Sequence, residues 1–249
     1  MLGASNLARS FPTVVDTVRR TWGEPVEIMA AMGLGRSYGQ DSAVLGRKIS
    51  GIFPCALWQE LLARPPLPTA ALLTDIGNDI LYGVPPDRLL EWVAACLDRL
   101  EEAGAKIIVT ELPIASLARL GEARFRFFRG LFFPRSQLTL ADARALAAAV
   151  NEGLAAAGKS RKISVISMSE SWYGFDPIHI RRRVWWQAWP SLLAPWRAAG
   201  APIEPARSSF WTSVYLHTLA PHERSLLGVR RRAAQPSGRL SDGTTISLY

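Results

Sequence analysis

Three residues in this chain are of the types that acyl transfer needs: the Ser5 hydroxyl near its start and, far along it, the Asp176 carboxylate and the His179 imidazole. Attack on a carbonyl needs a hydroxyl nucleophile, a base to take its proton, a group that orients the base, and donors aimed at the developing oxyanion. Ser5 fits the first role and His179 the second. Asp176, three residues before the histidine, can hold the imidazole tautomer from within one turn. For the fourth role, the Ser5 N–H, the Asn78 side-chain amide and a glycine N–H from the 33–39 loop are the candidates. Each follows an expected strand, and in an open α/β sheet ligands sit at the carboxyl ends of the strands.

The blocks Gly3-Ala4-Ser5-Asn6-Leu7, Gly77-Asn78-Asp79 and Asp176-Pro177-Ile178-His179 occur in that order over residues 1–185. Together they resemble the SGNH hydrolases, also called the GDSL family of esterases and lipases. The resemblance implies that Ser5 is the nucleophile, His179 the base oriented by Asp176, and Asn78 an oxyanion donor. It implies a further glycine donor, for which Gly39 is the nearest match, with Gly33 and Gly35 as alternatives. The implied fold is a three-layer α/β/α sandwich, flavodoxin-like, with about five parallel strands in the order 2-1-3-4-5. That order reverses between strands one and three, where Ser5 and Asn78 would face each other. The implied substrate is a carboxylic ester, such as a short acyl or acetyl ester on a small molecule or glycan, with no metal or organic cofactor. The chain departs from the family in two places. The block-one Asp is Ala4, and only Met1-Leu2 precede Gly3, where a central strand usually needs about five residues. We therefore expect the natural chain to begin upstream of Met1; the other account is a stunted first strand. A catalytically inactive binding or scaffold protein on the same fold is the rival function.

Other readings of single residues stand beside these. Gly35-Arg36-Ser37-Tyr38-Gly39 matches Gly-x-Ser-x-Gly, the nucleophile elbow of α/β-hydrolases. An elbow must run straight into a helix, however, and residues 40–51 have no helical stripe. Ser5 could cap a helix over 7–18, Asn78 could serve a turn, and His179 could be a bonded core histidine. His217 and His222 have no acidic or cysteine partner at ligand spacing, so no metal site is expected. Four tryptophans over 181–196 form either an interfacial or aromatic pocket surface or a final helix laying rings on the sheet. The 125–133 stretch, which alternates Phe with Arg, is either a lid over the site or an amphipathic packing segment.

The elements that must hold these residues follow from periodicity. Apolar runs at 26–32, 70–75, 106–110 and 163–168 read as buried strands, and the stretches between them as helices, the pattern of a parallel sheet covered by helices. The spacing of Leu89, Val93, Cys96/Leu97 and Leu100 predicts a helix over 87–103. Thr139 and Asp142 open a helix over 139–157, with Gly158 as its expected stop. A short helix is expected over 181–189, broken by Pro190. Asp242-Gly243 between Leu240 and Ile246 signals a hairpin. The domain assignment is 1–200 for the α/β/α unit and 201–249 for an extension packed on it.

Composition narrows the classes further. With 49% hydrophobic and 20% charged residues over 249 positions, the chain is globular rather than disordered. No run of 18 apolar residues exists, so no transmembrane segment is expected. The net charge of +8 comes from 25 Arg against 4 Lys. The arginines are scattered apart from runs at 181–183 and 230–232, and no nucleic-acid motif accompanies them, so no nucleic-acid partner is expected. Cys55 and Cys96 are too few for a disulfide framework. They read as free thiols in a reducing compartment and, with no visible signal peptide, as a cytoplasmic location.

Overall fold

The computed structural model describes residues 1–44, 47–197, 209–226 and 229–249. In chain order these form α1 (Ser5–Arg9), α2 (Phe11–Trp22), β1 (Glu27–Ala30), β2 (Ser42–Val44), β3 (Arg47–Ile49), α3 (Leu57–Leu62), β4 (Ala70–Leu73), α4 (Asn78–Leu81), α5 (Pro86–Glu102), β5 (Lys106–Thr110), α6 (Ile114–Ala118), α7 (Glu122–Phe132), α8 (Leu140–Arg161), β6 (Ser164–Ile166), α9 (Trp185–Leu192), α10 (Phe210–Thr218), β7 (Glu223–Leu226), β8 (Val229–Arg232), β9 (Gly238–Arg239) and β10 (Thr245–Leu248).

The protein is mixed α/β. A parallel three-stranded sheet runs β4-β5-β6, and a second sheet runs β1-β10-β9, with β1 and β10 parallel. Residues 1–3 lie between the two. Leu2 bridges Ala31 on one side and Leu73 on the other, both parallel. Its N–H donates to Leu72 O at 2.8 Å and its carbonyl accepts from Thr74 N at 2.9 Å, while Gly3 N–H donates to Ala31 O at 3.0 Å. A two-sided ladder thus delivers the chain to Ser5. Gly3 is required there: a Cβ would sit 2.7 Å from the Thr74 methyl.

Strand side chains alternate between two hydrophobic clusters, as the two-residue period of a strand demands. Ile107 and Val109 of β5 join one cluster with Leu89, Val93 and Leu97 of α5. Ile108 points the other way, into a cluster with Val14 and Val15 of α2 and Trp189 and Leu192 of α9. Among the tryptophans, Trp189 and Trp196 are buried and Trp186 is exposed. The Trp196 indole N–H donates to Lys106 O at 3.0 Å, so this ring is tied to the start of β5.

Several boundaries differ from expectation for clear reasons. The α8 capping box forms as expected, with Asp142 N–H donating to Thr139 Oγ1 at 3.1 Å. The helix does not stop at Gly158 but runs to Arg161 and ends at Lys162 in the left-handed region. Gly158 is needed inside the helix because a Cβ would lie 2.5 Å from Val165 Cγ2 of β6. Pro190 lies within α9 rather than ending it. The missing Pro190 N–H costs one bond of a short helix, and the buried Trp189 and Leu192 on either side hold that helix against the sheet.

The 240–244 turn forms the expected hairpin, with Gly243 at φ +91. Its second strand, β10, pairs in parallel with β1 and buries Ile246 and Leu248. An antiparallel sheet β2-β3-β7-β8 was not legible in the sequence. Its β8, residues Val229–Arg232, is exposed at every position, so no apolar alternation marks it. The expected division after residue 200 falls within 198–208, outside the described residues. Among the described residues no helix is long and apolar enough to cross a membrane.

Candidate active site

Ser5 opens α1, and its hydroxyl is 3.0 Å from His179 Nε2. On the other side of the ring, His179 Nδ1 lies 2.6 Å from Asp176 Oδ2. A carboxylate can only accept, so the ring proton sits on Nδ1 and the Nε2 lone pair faces the Ser5 hydroxyl. Asp176 Oδ1 also accepts from the backbone N–H groups of Ile178 and His179, closing the 176–179 turn. Burial acts to raise the Asp176 pKa, but hydrogen bonding and charge from His179 and those two N–H groups outweigh it and hold the pKa below 3.8. Ser5 and His179 are both buried, 7% and 9% exposed.

Ser5 does not cap its own helix. The acceptor at the start of α1 is the side chain of Asp75, which follows β4 at φ +60, a region Asp tolerates better than most residues. Asp75 Oδ2 accepts from Ala4 N (2.9 Å), Asn6 N (2.9 Å) and Leu7 N (3.1 Å). The Ser5 N–H is passed over and takes no acceptor among the described residues. It is therefore a free donor directly beside its own hydroxyl.

Asn6 joins the two distant halves of the site. Its Nδ2 donates to Asp75 Oδ1 at 2.8 Å and to Ile178 O at 3.0 Å, and its Oδ1 accepts from Ile180 N at 2.7 Å. The loop carrying His179 is thus clamped from both sides of the histidine. Neither Asn6 nor Asp75 stood out in the sequence as a site residue. The available signal was the identity of Asn6, a polar residue directly after the candidate serine.

Asn78 begins α4 and lines a cavity with Ser5. Its Nδ2 donates to Arg36 O at 3.3 Å, which leaves its second N–H for another acceptor. Gly39 is placed elsewhere. Its N–H donates to Ser37 Oγ at 3.1 Å, and it packs so tightly on Trp92 that a Cβ would lie 2.0 Å from the ring. The reason is a buried anchor: Ser37 donates its hydroxyl to Asp79 in a short bond, Tyr38 N–H donates to Asp79 Oδ2 at 2.9 Å, and Gln40 N–H donates to Ser37 Oγ. This anchor turns the 37–40 backbone inward and occupies the Gly39 donor. Gly33 and Gly35 keep N–H groups without an acceptor among the described residues, and Gly35 sits at φ +64.

Ser37 itself is fully buried, and its hydroxyl contacts Asp79 and backbone N–H groups. With no imidazole among those partners, the Gly-x-Ser-x-Gly stretch is a folded turn and not an exposed elbow. Burial pushes the Asp79 carboxyl up to about 6 against the bonds from Ser37 and Tyr38. Among the described residues no three His, Cys, Asp or Glu side chains cluster as metal ligands.

The cavity beside Ser5 has a volume of about 130 Å³. Phe125 and Phe128 of α7 form part of its wall, and Phe132 at the end of α7 meets the His179 ring edge-on at 5.3 Å. Residues 125–132 of that stretch therefore lie over the site within α7, which ends before Phe133. Arg124 ties it to the loop that leads to Asp176 and His179, donating to Phe175 O at 2.7 Å and to Gly174 O. No protein-family model matches the chain, and no curated protein matches it.

Proposed function

We propose that this protein is a serine hydrolase that cleaves carboxylic esters through an acyl-enzyme on Ser5. The observation that carries the reading is the unbroken line from Ser5 Oγ through His179 (3.0 Å) to Asp176 (2.6 Å). Ser5 Oγ attacks the ester carbonyl carbon as His179 Nε2 takes its proton. Asp176 keeps the ring proton on Nδ1 and stabilises the imidazolium that forms. The tetrahedral oxyanion is held by the Ser5 N–H and the free N–H of the Asn78 amide, with a third donor from Gly33 or Gly35 in place of Gly39. As the intermediate collapses, the bond to the leaving alkoxide breaks and His179 returns the proton to it. Water, activated by His179, then releases the acid.

The proposed fold accords with this chemistry. Residues 1–3 serve as strand one between β1 and β4, giving five parallel strands in the order β1-(1–3)-β4-β5-β6, which is 2-1-3-4-5 by sequence. Helices on the two faces make it a three-layer sandwich. Ser5 and Asn78 then follow the strands flanking the reversal point, where such folds bind ligands. This arrangement and the three sequence blocks support a place among the SGNH hydrolases.

The test is covalent. Intact-mass analysis after a fluorophosphonate probe should show one adduct, located on Ser5, and p-nitrophenyl ester turnover should be measurable. Ser5→Ala should lose the adduct and at least about 10³-fold of the activity. Wild-type protein that takes no label and turns over no ester would overturn the proposal, and so would labelling undiminished in Ser5→Ala.

A further inference from the structure

The cavity beside Ser5 assigns a side to each half of the ester. It is lined by Ser5 and Asn78, the nucleophile and the proposed oxyanion donor, and by Pro177 and Ile178, but not by His179 or Phe132. In ester cleavage the leaving oxygen must lie at the base that protonates it. The alcohol therefore departs on the His179 and Phe132 side, and the group left on Ser5 extends into the cavity. Most of the wall on that side is apolar: Ile80 of α4, Leu112, Leu120, Phe125 and Phe128 of α7, and Ala147 of α8. Three charged side chains also reach it: Asp75, which accepts from the Ala4, Asn6 and Leu7 N–H groups, Glu111, which accepts from Ser167 Oγ at 2.6 Å, and Arg129, which donates to Leu138 O. This mostly apolar lining favours an apolar acyl group over a sugar, most of whose hydroxyls would lose their water without gaining a partner.

We infer that the cavity is an acyl-chain chamber, and that the preferred substrate carries an acyl group of about four to six carbons rather than an acetyl group. The size follows from volume. An apolar cavity of about 150 Å³ holds one benzene, six carbons, and this one measures about 130 Å³. An acetyl group would leave most of the chamber without contact. Two small side chains, Ala143 and Ala147 on one face of α8, make the room; both are buried. Each methylene that enters contributes about 0.8 kcal/mol, or roughly fourfold in kcat/KM.

This inference rests on the esterase reading, and the experiment separates the two. The rates of p-nitrophenyl esters from C2 to C12 should rise about fourfold per methylene from C2 to a maximum between C4 and C6, then fall. Labelling of Ser5 by fluorophosphonates of graded alkyl length should follow the same order. Ala143→Leu should move the maximum to a shorter chain, and Leu120→Ala should move it to a longer one. Turnover that is flat with chain length or fastest for acetate, with Ser5 still labelled, would overturn the chamber and leave the esterase standing. An optimum that stays put in both folded variants would also overturn the chamber. Loss of every ester activity and of every label would remove the esterase reading itself.

Discussion

At the scale of single residues, the site depends on two side chains that do no chemistry. Asp75 accepts three backbone N–H groups at the start of α1 and spares the fourth, that of Ser5. The Ser5 hydroxyl is thereby released from capping and its N–H from bonding, so both can serve a substrate. Asn6 satisfies the backbone on both sides of His179. Replacing Asn6 by Ala orphans the Ile180 N–H and the Ile178 carbonyl in a buried setting, at about 1–3 kcal/mol. It also frees the imidazole to drift from Ser5. We predict a fall in kcat of at least about tenfold, with KM little changed, and a lower denaturant midpoint at unchanged m. Wild-type kcat in Asn6→Ala would show that the 176–179 turn holds His179 without this clamp. Ser5, Asp176 and His179 were legible because their residue types and order are restrictive. Asp75 was not, because its contribution is a through-space cap to a helix some seventy residues earlier.

At the scale of elements, the 37–40 turn shows how a motif can match and still do something else. The turn is fixed to α4 by a buried carboxylate, Asp79, and by the fit of Gly39 against Trp92. That anchor positions Arg36, whose carbonyl receives the Asn78 amide, so the turn supports the proposed oxyanion donor indirectly. Its signature is a pH dependence. Asp79, raised by burial from 3.8 to about 6, holds its proton more tightly in the folded protein than in the unfolded chain. The group therefore favours folding at low pH, and that benefit is lost as pH rises from about 4 through about 6. Asp79→Asn removes the titration. The unfolding free energy of wild type minus that of the variant should fall between pH 4 and pH 7, by an amount on the order of 3 kcal/mol. Equilibrium denaturation at several pH values measures it, and parallel curves would show that Asp79 keeps an ordinary pKa.

At the scale of the molecule, the final strand decides the architecture. β10 lies parallel to β1, with Ile246 and Leu248 in the same cluster as α2 and α9. Leu216, Ile246 and Leu248 therefore share a core with the unit that carries Ser5. Ile246→Ala should cost about 2–5 kcal/mol, as for any fully buried large-to-small change. At this chain length that is a fall in Tm of roughly 5–15 °C. Calorimetry should show the entire transition shifting as one. A loosely docked extension would give a separate low-temperature transition and leave the main one in place.

The sequence by itself determined which residues are candidates for the chemistry and where β1, β4, β5, β6, α5 and α8 run. Those features are local: a carboxylate three residues from an imidazole, an apolar period, a capping box. It also determined the order of the blocks, which restricts where the chain can bring them together. The tertiary structure decided the rest. It set which donors are free, since Gly39 is occupied by Ser37 and Ser5 is spared by Asp75. It also set the apolar volume beside the serine, and it added the partner strand for β1 from the far end of the chain. Each of these depends on contacts between distant segments; even the local Gly39–Ser37 bond is set by Asp79, some forty residues on. Hydrogen-bond saturation and packing are properties of the assembled neighbours, and no stretch of chain records them alone.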